Sequence, residues 1–286
     1  MQDYLSKKGM KLFKTKTGII IEQEGQQYFL KDQNWNTFVN DDRLQSKMIE
    51  ATKTATRLTS SDFSTQHLLA PIESQEIWAS GVTYYRSKIG RQEESKNTGA
   101  AEFYARVYEA ERPELFFKAT ANRTVGPGEK VVIRKDSTWN VPEPELTLVI
   151  TSTGKIVGYT IGNDMSSRSI EGENPLYLPQ AKTYDGSAAI GPCIYVTESP
   201  LPPTTVIQMD ITRKGAKVFE GTIEINQIKR KFEELVSFLY RECSFPFGSL
   251  LMTGTGIVPS SDFTLQKDDV ISITIEPIGT LINTVK

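Results

Sequence analysis

Apolar and polar residues alternate along several stretches of the chain, and this period of two is the pattern of a strand with one buried face. The alternation is clearest at residues 207–211 and 271–275, where isoleucine or methionine occupies every second position. Shorter apolar runs at 131–133, 146–150 and 156–161 predict further strands. The chain is therefore predicted to be mostly β, in the α+β class.

Helical periodicity stands out in two stretches. Residues 228–241 place their apolar side chains on one stripe, which is typical of a helix packed against a core. Residues 98–111 begin at a threonine that can cap a helix and have a helix-forming composition. We expect these two helices among a majority of strands.

The first 70 residues differ in texture from the rest. A strand at 10–13 and a hairpin at 19–30 precede a polar stretch with a short helix at 42–52. A Ser/Thr-rich loop then leads to Ala70-Pro71, where turn-forming composition indicates a boundary. We expect a small N-terminal α/β domain at 1–70 and a larger domain at 71–286.

Charge and hydropathy limit the possible partners. The chain has 33 basic and 35 acidic residues, without the basic surface that nucleic-acid binding needs. Its longest apolar runs fall far short of the ~18 residues of a membrane span, and its start lacks the apolar region of a signal peptide. Two cysteines give no disulfide framework. We expect a cytoplasmic protein that binds neither nucleic acid nor membrane.

A single histidine, His67, restricts the chemistry. Serine–histidine triads, His-rich zinc sites and facial-triad iron sites all require histidines at positions where this chain has none. Acid–base chemistry would therefore fall to carboxylates, lysines or tyrosines.

The most informative string carries two glutamates. Pro142 and Pro144 each precede a glutamate and exclude a helix interior, so Glu143 and Glu145 are expected in extended backbone. Residues two apart on a strand point to the same side, roughly 6–7 Å apart. Two carboxylates aimed at one place repel each other unless a cation or protons lie between them.

Hairpin pairing adds a third carboxylate. If 151–154 is a four-residue turn, Glu145 faces Thr160, Glu143 faces Gly162, and Asp164 lies opposite Val141 on the same face as both glutamates. Three oxygen ligands suit Mg²⁺, with Mn²⁺ or Ca²⁺ as alternatives, and leave positions for water and substrate. The alternative is a pair of surface glutamates in salt bridges.

From this point the chain resembles the fumarylacetoacetate hydrolase superfamily. The resemblance covers roughly residues 75–286, while the first 70 residues match only loosely. It rests on an ordered set of motifs: Pro-Glu-Pro-Glu-Leu at 142–146, 158–164 ending in Asp164, Arg168, 182–185, Gly-Pro at 191–192, Thr-Gly-Thr-Gly at 253–256, and 278–283.

The resemblance implies a mixed β-sandwich roll behind a small N-terminal domain, with a divalent metal on Glu143, Glu145 and Asp164. Superfamily members act on 2-oxo acids or 1,3-diketones and are usually homodimers or larger, so a homodimer or homotetramer is implied. Hydrolases and decarboxylases of the superfamily commonly carry a histidine after the first core strand. Residues 81–94 contain none.

Three further motifs, at 112–120, 136–139 and 173–180, look close to the dehydratases of 2-keto-3-deoxy sugar acids within this superfamily. This resemblance implies a metal-dependent dehydration through an enolate. The alternative is a C–C bond hydrolase or decarboxylase of a 2-oxo or diketo acid. A third hypothesis is a non-catalytic protein whose metal holds a ligand.

Five residues are assigned roles on this basis. Lys182 is the candidate base at C3, because a metal and an apolar wall both favour its neutral form; the alternative is a lysine that only holds a carboxylate. Glu114 is the candidate acid or proton shuttle, and the alternative is an ordinary glutamate at a helix end. Arg168 either clamps a substrate carboxylate or neutralises the acidic cluster. Lys118 and Thr255 are weaker candidates for substrate contact. The polar segment 84–98 is expected to act as a lid.

Overall fold

A computed structural model describes residues 9–59, 63, 68–94 and 106–286. Strands dominate this part of the chain, as expected from the alternating pattern. They are β1 (Met10–Thr15), β2 (Gly18–Gln23), β3 (Gln26–Lys31), β4 (Thr56–Arg57), β5 (Leu68–Leu69), β6 (Glu76–Gly81), β7 (Glu114–Thr120), β8 (Thr124–Val125), β9 (Lys130–Val131), β10 (Asn140–Val141), β11 (Pro144–Ile150), β12 (Ile156–Asp164), β13 (Ser166–Ser167), β14 (Ala188–Val196), β15 (Val206–Arg213), β16 (Ala216–Glu224), β17 (Ser249–Met252), β18 (Val270–Ile275) and β19 (Gly279–Val285).

Six labelled helices connect the strands of the described residues: α1 (Trp35–Val39), α2 (Leu44–Thr52), α3 (Tyr85–Glu94), α4 (Arg168–Glu173), α5 (Leu178–Lys182) and α6 (Phe232–Leu239). The helix predicted at 228–241 is present as the shorter α6. Of the helix predicted at 98–111, residues 98–105 lie outside the described residues, and 106–109 are helical. Helix α1 was not predicted; the Asn34 side chain caps it by accepting a hydrogen bond from the Thr37 amide.

The strands form two main sheets. A 12-stranded sheet has the order β4-β3-β2-β1-β14-β12-β11-β17-β6-β7, with β5 added to β1 and β8 to β14. A 5-stranded sheet has the order β16-β15-β18-β19-β9, and β10 pairs with β13. No helix in the described part of the chain is long and apolar enough to cross a membrane.

The main hydrophobic core lies between these sheets. Leu146, Leu148 and Ile161 of the large sheet belong to the same buried cluster as Ile207 and Ile273 of the small sheet. The alternate residues of β15 face outward, so the predicted half-buried strand is confirmed. The mostly β class is confirmed with it. Burying one apolar face of each sheet supplies the main driving force for this packing.

The N-terminal strands extend the large sheet instead of standing apart from it. Strand β1 pairs with β14, with Leu12 opposite Ile194. Helices α1 and α2 cover a second core cluster that joins Met48 to Val149 and Val157. The division into domains at 1–70 and 71–286 stays a prediction. Strands from the two sides of that boundary, β1 and β14, are hydrogen-bonded neighbours in one sheet.

The register of the β11–β12 hairpin differs from the predicted one. Glu145 lies opposite Gly162, not Thr160, and the Asp164 amide donates to the Glu143 carbonyl. The prediction was wrong because the turn closes between Thr151 and Lys155 and a bulge follows at Val149 and Ile150. The error amounts to two residues along the pair. A shift of two preserves the face of every side chain, so Asp164 still shares the face of the glutamates.

Asp42 connects the N-terminal region to the turn of this hairpin. Its carboxylate accepts hydrogen bonds from the Thr151 hydroxyl at 2.6 Å and from the Thr153 hydroxyl at 2.8 Å. These two bonds lower the pKa of Asp42 below its usual range.

We expect Asp42→Ala to lower the free energy of unfolding at neutral pH by about 1 kcal/mol, since the bonds are charge-assisted but partly exposed. Because folding lowers the pKa of Asp42, its contribution is present above its unfolded-state pKa and is lost as the pH falls through the folded-state value. Urea unfolding of wild type and variant should therefore differ at pH 7, and the difference should shrink at acid pH as Asp42 becomes protonated in both states. Glu242→Ala, at an exposed site, serves as the control. An equal difference at both pH values would contradict the assignment.

Candidate active site

The end of the β11–β12 hairpin brings the three predicted carboxylates together. Glu143 directly precedes β11, Glu145 lies within it, and Asp164 ends β12. All three are buried, and each offers an oxygen that lies within 4.8 Å of the others' oxygens. The two strands hold these residues by backbone pairing, so the side chains converge without help from a loop.

Two lysines neutralise part of this charge. The Lys182 ammonium donates to Glu143 Oε2 at 2.6 Å, to Asp164 Oδ2 at 3.0 Å and to the Ser166 hydroxyl at 2.6 Å. Lys118 Nζ lies 2.6 Å from Asp164 Oδ1 and donates to the Met165 carbonyl. Burial lowers the pKa of Lys118, and the charge of Asp164 opposes that shift.

An arginine and a fourth carboxylate complete the cluster. Arg168 Nη2 donates to Glu143 Oε1, and its Nη1 lies 3.5 Å from Glu171 Oε2. Glu171 Oε1 lies 3.4 Å from Lys182 Nζ. The glycine and prolines of residues 171–179 are typical of a loop, whereas α4 runs to Glu173 and α5 begins at Leu178. Sequence reasoning therefore missed Glu171; its spacing of three from Arg168, on one helical face, was the available signal.

Glu145 differs from the other acidic side chains of the cluster. Among the described residues it makes no ion pair, and its carboxylate accepts a hydrogen bond from the Gly254 amide at 2.5 Å. Burial, followed by the charges of Asp164 and Glu143, raises the pKa of Glu145 well above its usual value. A cation among the three carboxylates would reverse that penalty, so their donor set fits a hard divalent ion.

The charges of the cluster support the same conclusion. Four carboxylates (Glu143, Glu145, Asp164, Glu171) and three cations (Lys118, Arg168, Lys182) carry a formal charge of −1. A divalent ion changes this to +1. The loaded cluster would therefore attract a small anion, and one carboxylate would bring the formal charge to zero.

A cavity opens beside the carboxylates and is lined on its other side by the β6–α3 turn, Phe116 and Thr255. Arg168 and Lys182 line it as well, so three of the five predicted catalytic and substrate-contact residues reach it. Within this turn Val82 has φ 52°, a left-handed conformation that β-branched residues rarely adopt. Such an outlier beside a polar cavity is common at functional sites.

The structure places Lys118 and Glu114 differently from Arg168, Lys182 and Thr255. Neither is among the described residues that line the cavity. Lys118 is paired with Asp164. The Glu114 side chain packs against Gly81, since a Cβ atom built on Gly81 would lie 2.0 Å from Glu114 Oε2. Gly81 itself lines the cavity, so Glu114 contacts a residue of the cavity wall. The predicted roles of both residues stay predictions.

The segment expected to form a lid is described only in part. Residues 95–98 lie outside the described residues, as does His67. The part that is described forms helix α3, and Ser87 of this helix lines the cavity. The lid stays a prediction.

The fumarylacetoacetate (FAA) hydrolase C-terminal family profile matches residues 83–286, and the chain belongs to this family. The chain is 48% identical over 224 residues to a probable 2-keto-3-deoxyxylonate dehydratase of Haloferax volcanii. This match covers 78% of this chain and 76% of the relative. It is 47% identical over 219 residues to the 2-dehydro-3-deoxy-D-arabinonate dehydratase of Saccharolobus solfataricus, covering 76% and 73%.

A solved structure is also similar: 2-keto-3-deoxy-D-arabinonate dehydratase complexed with magnesium and 2,5-dioxopentanoate. It superimposes with a TM-score of 0.80 at 36% identity and covers 97% of this chain and 98% of that chain. The superfamily and the fold expected from the sequence motifs are thereby confirmed.

Glu145→Gln tests the carboxylate set. Removing a buried charge that Glu143 and Asp164 repel should leave the metal-free protein at least as stable as wild type, since the amide oxygen can still accept from Gly254. The variant should lose the stabilisation that Mg²⁺ gives the wild type, about 2.7 kcal/mol at a concentration of 100 times Kd. Thermal unfolding with Mg²⁺ and with chelator measures both effects.

Glu220→Gln, on the exposed strand β16, removes a similar charge outside the site and should keep the Mg²⁺ response. An Mg²⁺ response of wild-type size in Glu145→Gln would show that the three carboxylates do not hold the ion.

Proposed function

We propose that the protein is a divalent-metal-dependent dehydratase of a 2-keto-3-deoxy sugar acid. One observation carries the proposal: three buried carboxylates converge beside a cavity that two cationic side chains, Arg168 and Lys182, also line. This arrangement suits a 2-oxo acid, which offers a carboxylate and a keto oxygen on adjacent carbons. The similarity to dehydratases that act on such acids supports the same substrate class.

Glu143, Glu145 and Asp164 would hold the ion, with Mg²⁺ as the expected metal. When bound, it would act as a Lewis acid that withdraws electron density from the 2-keto group and stabilises the enolate. Lys118 keeps Asp164 in place by its ion pair and by two backbone carbonyls that accept from it. The site residues therefore enter the reaction with fixed positions.

Lys182 is proposed as the base that removes a proton from C3. Its Nζ lies among the carboxylates and 5.6 Å from the centre of the Phe116 ring, so one side of the amine is apolar. Lys182 must be neutral to accept the proton. Each carboxylate that binds another cation in place of Lys182 favours this neutral form. Glu114 is proposed to protonate the C4 hydroxyl, which departs as water.

Arg168 and Thr255 are proposed to bind the substrate from the cavity wall. Arg168 lines the cavity with a positive charge, and its ion pairs with Glu143 and Glu171 fix the position of its guanidinium. Loss of the C3 proton and the C4 hydroxyl leaves an enone that tautomerises to a 2-oxo aldehyde; from a five-carbon acid this is 2,5-dioxopentanoate.

We propose a homodimer or homotetramer, which light scattering can test.

The products decide between dehydration and the alternative cleavage of a C–C bond. Incubation with 2-keto-3-deoxy-D-arabinonate and Mg²⁺ should yield one five-carbon aldehyde, detected by NMR, with no shorter fragments. A chelator should stop the reaction and Mg²⁺ should restore it. Two fragments from this substrate or from an acylpyruvate would favour a hydrolase. No turnover of any 2-oxo acid by metal-loaded protein would favour a binding protein.

Lys182→Gln should lower kcat by about 10²–10⁴-fold, the usual contribution of a positioned base. The variant should still gain thermal stability from Mg²⁺, because the three carboxylates remain. Rapid-quench measurement of product gives kcat, and Lys130→Gln at an exposed position of β9 is the control. A variant with near wild-type kcat would rule out Lys182 as the base.

A further inference from the structure

Glu171 is the carboxylate of the buried cluster that the proposed reaction does not use. Its side chain is 1% exposed and lies between two cations, 3.5 Å from Arg168 Nη1 and 3.4 Å from Lys182 Nζ. It is not one of the three converging carboxylates, and it is not among the described residues that line the cavity. Its charge therefore acts from behind the cavity wall.

The two cations beside Glu171 are those that an anionic ligand meets. Arg168 and Lys182 both line the cavity. A carboxylate fixed in the protein competes with ligand carboxylates for the same cations, and at short range in a buried site this competition is strong. Glu171 thus limits how much negative charge a ligand can bring.

The formal charge of the cluster indicates how many ligand carboxylates the metal-loaded site can neutralise. With Glu171, a divalent ion and Lys182 in its charged form, the formal charge is +1, which one ligand carboxylate cancels. Without Glu171 the loaded cluster would carry +2 and would match a ligand with two carboxylates. A 2-keto-3-deoxy sugar acid has one, so this step rests on the proposed function.

We propose that Glu171 determines specificity by charge: it makes the metal-loaded site select 2-oxo acids with a single carboxylate and reject 2-oxo diacids. The distinction matters chemically, because 2,5-dioxopentanoate and 2-oxoglutarate differ only in an aldehyde against a carboxylate at the far end. Glu171 touches neither reactant; it acts through Arg168 and Lys182.

The test compares two ligands of equal length. 2-Oxopentanoate carries one carboxylate and 2-oxoglutarate carries two, and calorimetric titration of Mg²⁺-loaded protein gives a Kd for each. The wild type should bind 2-oxopentanoate more tightly. In Glu171→Gln the ratio of the two Kd values should move toward the diacid by on the order of tenfold, the effect of one unit charge about 12 Å away at an effective dielectric constant near 20.

Two variants control for charge and for damage. Glu171→Asp keeps the charge and should retain the wild-type ratio, whereas a purely structural role predicts that the shorter side chain shifts the ratio as Glu171→Gln does. Glu173→Gln removes the same charge from the exposed end of α4 and should leave the ratio unchanged.

An unchanged ratio in folded Glu171→Gln overturns the proposal. If that variant does not fold, the wild type decides, because diacid binding as tight as 2-oxopentanoate binding also overturns it. The titration needs no turnover. A protein that shows the shift without dehydrating any sugar acid would keep the role of Glu171 and lose the proposed reaction.

Discussion

The compensation of charge inside one buried cluster is the constraint on which the rest of this structure depends. Charged groups lose several kcal/mol of hydration when they are buried, and only close partners restore it. Each cation of the cluster contacts more than one oxygen, and Lys182 alone donates to three side chains. Glu145 is the exception, with an amide as its hydrogen-bonding partner, and it marks where a further positive charge belongs.

The sheet order explains how distant segments supply this cluster. Strands β11 and β12 carry the carboxylates, β17 lies on the other side of β11, and β6 follows it. The Gly254 amide that meets Glu145 comes two residues after the end of β17, and the turn after β6 lines the cavity. Gly254 has φ 94°, a conformation that favours glycine. A Cβ there would lie 2.0 Å from the Thr83 hydroxyl, so the two loops fit together only around a glycine.

Part of the fold and of the candidate site could be predicted from the sequence, and the part that could not has physical reasons. The period of two placed Glu143, Glu145 and Asp164 on one face even though the predicted register was wrong. A shift of two residues leaves every side chain on the same face of the strand. The bulge at Val149 and Ile150 left no local signal, so the register itself could not be derived. Arg168, Lys182 and Thr255 reach the cavity. Lys118 does not, because its ammonium is held by Asp164 and by the backbone carbonyls of Met165 and Lys182.

The position of β11 in the interior of the large sheet has a consequence for how the protein opens. Strands β12 and β17 hydrogen-bond to its two edges, so its amides have no free edge over most of its length. Segments of this kind exchange their amide hydrogens only when a large part of the fold opens. The carboxylate-bearing strand should therefore be among the slowest-exchanging parts of the chain. An ion can enter and leave through the cavity while the scaffold beneath it stays closed.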